Sequence, residues 1–90
     1  MTEAKLQAKI LRYLKQKGCY ARKVIVAGNA GTLDIVCCYK SSFIAIEVKL
    51  PGQKPTELQK YNIREIQKAE GVALVAISLE DVKLFFEGNC

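Results

Sequence analysis

Apolar residues recur at helical spacing at the start of the chain. Leu6, Ile10 and Leu14 are four residues apart, which places them on one face of a helix. The pair Lys17-Gly18 is a typical helix ending, because glycine tolerates the left-handed conformation that follows a last turn. We therefore predict an amphipathic helix over residues 3–17.

Three short runs rich in β-branched and aromatic residues follow. They predict strands at Tyr20–Val26, Thr32–Tyr39 and Ser42–Leu50, with a glycine-bearing loop at Gly28–Gly31 between the first two. Only Lys40-Ser41 separates the second strand from the third, so we expect an antiparallel hairpin with a loop of two or four residues.

A proline- and glycine-containing stretch, Pro51–Pro55, then interrupts the pattern. The helical spacing resumes over residues 57–70 and stops at Gly71. Thr56 and Gln59 stand three residues apart at the start of this segment, which is the sequence signature of a capping box. We predict the second helix there.

The last segment, Val72–Ile77, is uniformly apolar, which is typical of a strand buried on both faces. Ser78 and Asp81 then mark the start of a short helix through Phe86. The order helix, three strands, helix, strand, helix predicts an α/β fold with a central mixed sheet covered on both sides. Because the chain has 90 residues, we expect one domain over residues 1–90.

The composition narrows the possible chemistry. The net charge of +5 favours a polyanionic partner, although a basic surface that only aids solubility explains it as well. The absence of histidine excludes Ser-His-Asp catalysis and histidine-bound zinc. No apolar stretch approaches the length of about 20 residues that spans a bilayer, and the N-terminus lacks a signal-peptide core. We expect a soluble cytoplasmic protein with no membrane partner and no organic cofactor.

The four cysteines form no Cys-x-x-Cys pair, which argues against a zinc site. Cys37 and Cys38 are adjacent in a predicted strand and therefore point to opposite faces. We predict reduced, buried thiols, with Cys90 as a loose thiol in the tail.

Two carboxylates are expected to converge on the predicted hairpin. Strand alternation places Glu47 and Lys49 on one face, and the hairpin register sets Asp34 opposite Glu47. Two negative charges about 5 Å apart repel by roughly 3 kcal/mol at an effective dielectric near 20. A hard divalent cation would reverse this repulsion, and Mg²⁺ favours oxygen ligands. The alternative is an exposed Glu-Lys pair on an open sheet face.

The ordered set of motifs resembles a family of nucleases. Asp34 followed by the Glu47-Val48-Lys49 strand is similar to the D…ExK signature of PD-(D/E)xK nucleases, and more closely to the VRR-NUC (virus-type replication-repair nuclease) domain. The segments that carry the resemblance are Glu3, Gly28–Asp34, Ile46–Leu50, Pro51-Gly52, Thr56–Gln59 and Gly71–Ala76. Leu33 departs from the motif, which has proline there. The resemblance implies a stand-alone version of the restriction-endonuclease-like fold.

The resemblance also implies roles for individual residues. Asp34 and Glu47 would bind Mg²⁺ or Mn²⁺ together with the main-chain carbonyl of Val48, and Lys49 would orient or help deprotonate the attacking water. Two further side chains match family positions and each has a structural alternative. Glu3 would hold a metal-bound water, or it is a first-turn acid favoured by the helix dipole. Gln59 would act near the site, or it only closes the capping box, or it serves both roles.

Contacts to phosphate are predicted from the basic residues and the glycine loop. The candidates are Lys54, which follows the ExK strand, and Lys5, Lys9, Arg12, Arg22, Lys23, Lys60 and Gly31. Each of the cations is alternatively a solvated surface charge, and the loop is alternatively an ordinary turn.

The resemblance therefore implies a metal-dependent DNA endonuclease that acts on branched or structured DNA, such as a flap or four-way junction, in replication, repair or recombination. Paired cuts in a junction would require a homodimer, for which Val24–Val26 and Leu84–Phe86 are possible surfaces, although both segments could instead pack in the core. The alternatives are a nucleic-acid-binding module that does not cut and a protein-interaction domain.

Overall fold

The computed structural model describes residues 1–25, 28 and 31–88. These residues form three helices and four strands, which follow one another in the predicted order. Their bounds are α1 Glu3–Gln16, β1 Tyr20–Lys23, β2 Ile35–Tyr39, β3 Ser42–Val48, α2 Glu57–Lys68, β4 Val72–Ala76 and α3 Leu79–Gly88. In these described ranges, no helix has both the length and the apolarity that a bilayer crossing requires.

The four strands form one mixed sheet in the order β1-β2-β3-β4. The pairs β1–β2 and β2–β3 are antiparallel, and β3–β4 is parallel. Tyr39 pairs with Ser42, so the β2–β3 loop has two residues. Lys40 and Ser41 both have positive φ, 48° and 70°, which is the backbone that matches the twist of a hairpin.

The hydrophobic core lies between one face of the sheet and the helices α1 and α3. The alternation of β3 directs Ile44, Ile46 and Val48 to this face, where all three are buried. The helical stripe predicted for α1 meets them: Leu6, Ile10 and Leu14 are at most 3% exposed. From α3, Val82 and Phe86 complete the same cluster.

Helix α2 lies on the other face, and its coverage differs from the prediction. It contacts β4, and none of its residues is fully buried. On the β1–β2 half of this face, Tyr20 is 63% exposed and Cys38 is exposed as well. The prediction of a sheet covered on both sides is therefore wrong for that half. One 12-residue helix is too narrow to cover four strands that stand nearly 5 Å apart.

Strand β4 is an edge strand. Its side chains are also more exposed than the prediction of a strand buried on both faces requires. Its only sheet neighbour within the described residues is β3. Val75 is 39% exposed, and only Ala76 of this strand is fully buried. A short apolar run indicates a strand but does not reveal its position in the sheet.

Two other predicted features are corrected. The first strand ends at Lys23 rather than Val26, which lies outside the described residues, and the second begins at Ile35 rather than Thr32. Cys37 is buried as predicted, but Cys38 is exposed, because adjacent strand residues point to opposite faces and this half of the outer face is uncovered. Cys90 lies outside the described residues.

Candidate active site

The β2–β3 hairpin brings two carboxylates to one end of the sheet. The last ladder pair at this end is Ile35 with Ile46, so Asp34 and Glu47 occupy the next level of the same register. Asp34 precedes β2 rather than lying within it. Its Oδ2 accepts a hydrogen bond of 2.8 Å from the main-chain N–H of Val48, which fixes this carboxylate against the end of β3.

Glu47 is buried, with a relative exposure of 2%. Its Oε2 lies 3.3 Å from the Nζ of Lys49 and accepts a hydrogen bond of 2.9 Å from the Nε2 of Gln59. Its Oε1 is the buried side-chain oxygen that has no hydrogen-bond partner in the described part of the chain. Burying an oxygen without a hydrogen-bond partner costs free energy of folding. A bound ion or water at this oxygen would remove that cost.

The surroundings of Glu47 favour its protonated form. Burial is the largest cause and the negative charge of Asp34 adds to it, while Lys49 opposes both. Together they raise the pKa of Glu47 to about 7. A carboxylic acid with this pKa is poised to change its charge near neutral pH, which is typical of functional sites.

Gln59 closes the capping box of α2 and also contacts Glu47. Its N–H donates to the Oγ of Thr56 at 3.1 Å, and its Oε1 accepts from the N–H of Thr56 at 2.8 Å, which completes the capping box of α2. Its Nε2 is then directed toward Glu47. The start of α2 therefore holds the Glu47 carboxylate in one orientation.

The main-chain carbonyl of Val48 is well placed beside these carboxylates. The N–H and C=O of one residue point to the same edge of an extended strand, and the N–H of Val48 points to Asp34. The neighbouring Lys49 N–H points the other way, to the carbonyl of Ala76 at 3.0 Å. The carbonyl oxygen of Val48 therefore points to the same edge of β3 as its N–H, which is the edge that faces Asp34.

Glu3 begins α1 near this end of the sheet. Three residues join the end of α1 to the start of β1, which directs the first turn of α1 toward the end where β1 finishes and β2 begins. Within the described residues, no hydrogen bond or ion pair links Glu3 to Asp34 or Glu47, so its role in water binding stays a prediction. Its first-turn position also suits the helix dipole.

The predicted basic residues fall into two groups. One group lies at the end of the sheet that holds the carboxylates. Its members are on the 51–56 loop, in the first turns of α1 and α2, and at the end of β1, in that order: Lys54, Lys5, Lys60, and Arg22 with Lys23. Lys60 pairs with Glu57 at 3.5 Å, and the guanidinium of Arg22 stacks over the ring of Tyr20 at 4.2 Å. The second group, Lys9 and Arg12, lies on α1, which packs on the opposite face.

Gly31 has a packing role that the sequence did not reveal. Its φ is +81°, and a Cβ at this position would lie 2.7 Å from the main-chain carbon of Leu58 in α2. Gly31 therefore packs against α2, the helix whose Gln59 donates a hydrogen bond to Glu47. Gly28 is exposed, and Asn29 and Ala30 lie outside the described residues.

Two polar residues of interest were not predicted. Gln7 is only 8% exposed and lies one turn after Glu3, where it interrupts the apolar stripe of α1; that interruption was a usable signal. Lys83 on α3 joins Lys9 and Arg12 around a cavity. Its position follows from the packing of α1 against α3, for which the sequence contains no local signal.

A solved structure described as a VRR_NUC domain is similar to this chain over 94% of both chains, with a TM-score of 0.82 and 22% sequence identity. The chain has the fold of a VRR_NUC domain. The predicted restriction-endonuclease-like α/β fold is thereby confirmed. Neither a protein-family model nor a curated protein matches the sequence.

Proposed function

We propose that the protein is a metal-dependent DNA endonuclease. One observation carries the proposal: the buried carboxylate of Glu47 lies beside Asp34 and has one oxygen with no hydrogen-bond partner among the described residues, while the amine of Lys49 is 3.3 Å from its other oxygen. A structural ion pair of Glu47 with Lys49 would not require a second carboxylate at the same level of the hairpin.

The donor set fits a hard divalent cation. Within the described residues, no three or more histidine, cysteine, aspartate or glutamate side chains lie together so that they could hold a metal ion, which disfavours a closed zinc-type site. Mg²⁺ instead binds through one or two carboxylates and keeps waters and substrate phosphates as its other ligands. Asp34, Glu47 and the Val48 carbonyl would hold Mg²⁺ or Mn²⁺ there, and the cation would supply Lewis-acid polarisation of the phosphate and acidify water.

The side chains around this site divide the remaining work. The hydrogen bond from Gln59 holds Oε2 of Glu47, and Oε1 would then be the oxygen that binds the cation. The Lys49 ammonium, 13% exposed, is near enough to orient the attacking water and to balance the charge that develops on the phosphate. The attacking water forms a new P–O bond and releases a proton to solvent. The P–O bond to the leaving 3′ or 5′ oxygen breaks, and that oxygen takes a proton from solvent.

Several observations support DNA as the substrate. The net charge of +5 attracts a polyanion, and Lys54 is exposed in the loop that follows the Glu47 strand. On the face of the sheet that carries Glu47, the β1–β2 half is uncovered, which leaves room for a DNA strand beside α2. The structurally similar domain is described as VRR_NUC, a name that denotes a nuclease.

Branched DNA and a homodimer belong to the same proposal. A two-fold dimer would present two equivalent sites to the two strands of a four-way junction. Of the segments predicted for this contact, Ile25 and Leu84 are 84% and 68% exposed and remain available. Phe86 is buried in the core and is not available, and Val26 lies outside the described residues.

The direct test incubates the protein with labelled duplex, flap and four-way-junction DNA in Mg²⁺, Mn²⁺ or EDTA. We expect cleavage with either cation, none in EDTA, and the fastest cleavage on a branched substrate. Salt-sensitive binding of all three DNAs without cleavage in any cation would instead support the alternative function, a nucleic-acid-binding module that does not cut.

A further inference from the structure

A basic cavity lies between α1 and α3, away from the carboxylates. Its volume is about 290 Å³, and its lining residues are Lys9, Arg12, Tyr13, Gln16, Leu79 and Lys83. The cations come from two helices at opposite ends of the sequence, so this cluster is a product of the tertiary fold and not of a charged run in the sequence.

The charges around this cavity are unbalanced. Three of the six lining residues are cations, and none is acidic. The nearest acids lie on α3: Glu80 is 4.0 Å from the amine of Lys83, and Glu87 accepts a hydrogen bond of 3.3 Å from the hydroxyl of Tyr13. Glu80 is mostly exposed, and a pair at that distance in water gives little compensation.

The cavity also contains apolar surface. Tyr13 and Leu79 are half-buried, and the amine of Lys83 lies 5.9 Å from the centre of the Tyr13 ring. A cationic rim around an aromatic and aliphatic floor suits a ligand that carries a negative charge on an apolar frame. A phosphodiester with its sugar has this chemistry, whereas a free inorganic anion would use only the rim.

We propose that this cavity binds the phosphodiester backbone of the nucleic-acid substrate at a second position, remote from the cut. The proposal rests on the proposed nuclease function for the identity of the polyanion. It adds Lys83 as a binding residue and gives Lys9 and Arg12 a location separate from the active site.

The two positions lie on opposite faces of the sheet. Glu47 belongs to the α2 face, whereas α1 and α3 pack on the core face. A backbone segment in the cavity is therefore different from the one that reaches Glu47. DNA that wraps around the sheet end, or that carries a second arm, would fill both positions and gain affinity from the second contact.

The test compares two variants with equal net charge. One carries Lys9→Gln, Arg12→Gln and Lys83→Gln. The control carries Lys15→Gln, Lys17→Gln and Lys68→Gln, which remove three exposed cations that do not line the cavity. Binding of a four-way junction is measured in EDTA over a range of salt concentrations, after thermal melts show that both variants fold.

Each lost phosphate contact lowers the slope of log affinity against log salt by about 0.9. We expect the cavity variant to lose about 2–3 units of slope and the control less than about 1. Equal losses in the two variants would overturn the cavity site while leaving the nuclease proposal intact. Because binding is read in EDTA, a cavity-specific loss in a protein that never cleaves DNA would refute only the nuclease proposal.

A second measurement locates the contact without any substitution. Amide chemical shifts of the parent protein are followed while the junction DNA is added in EDTA. We expect changes at Tyr13, Leu79 and Lys83 as well as around Lys49. Changes confined to the Lys49 end of the sheet would overturn the proposal.

Discussion

Replacing Glu47 by glutamine is expected to lower the rate of DNA cleavage by about 10³-fold, which corresponds to roughly 4 kcal/mol in the barrier. Glutamine keeps the size of the side chain and can still accept a hydrogen bond from Gln59. It removes the negative charge that would hold the cation, at a carboxylate whose Oε1 has no hydrogen-bond partner in the part of the chain that the structure describes. The substitution therefore separates the chemistry of the site from its packing.

The matched control is Glu57→Gln, which makes the same change at an exposed position at the start of α2. Single-turnover cleavage of a junction in Mg²⁺ is measured for both variants, with circular dichroism to show that each is folded. The control should cut at the parent rate to within about twofold, because it loses only a surface ion pair. Cleavage by the Glu47→Gln variant at the control's rate would remove Glu47 from the mechanism.

The second large effect is on stability in the absence of metal. The folded-state pKa of Glu47 is raised from 4.5 to about 7, so between these values the folded protein holds a proton that the unfolded chain has released. The free energy of unfolding then falls as the pH rises through this window, by about 3 kcal/mol in total for this group. The full contribution is present below pH 4.5 and is lost above pH 7.

Urea denaturation in EDTA between pH 4.5 and 8 measures this effect against Glu47→Gln, which cannot ionise. The variant should gain about 3 kcal/mol on the parent as the pH rises, because it avoids a buried, charged carboxylate beside Asp34. A constant difference between the two proteins across the range would show that Glu47 ionises in the folded state as easily as in the unfolded chain.

The placement of Asp34 and Glu47 at one level of the hairpin could be predicted from sequence because it depends on local rules. The two-residue separation of β2 and β3 sets the register, and strand alternation then decides which side chains share a face with Glu47. The capping box at Thr56 and Gln59 is equally local and is confirmed. In each case the relevant residues are joined by one turn or one strand.

The features that the sequence did not reveal depend on how elements pack. The uniform apolar run of β4 gave no sign that it is an edge strand, since that position is set by the parallel crossover through α2. The exposure of Cys38 follows from the narrow coverage by α2. The bond from Gln59 to Glu47 and the close approach of Gly31 to Leu58 also require α2 to be in place on the sheet.

The proposed nuclease chemistry requires that the carboxylates of Asp34 and Glu47 converge to hold a divalent cation. Equilibrium binding of Mn²⁺ at pH 8, followed by the loss of the free-ion electron paramagnetic resonance signal, tests it without any nuclease assay. We expect one Mn²⁺ bound by the parent protein and by Glu57→Gln, and at least tenfold weaker binding by Glu47→Gln. Equal Mn²⁺ affinity in the parent and the Glu47→Gln variant, or no binding by the parent, would contradict it.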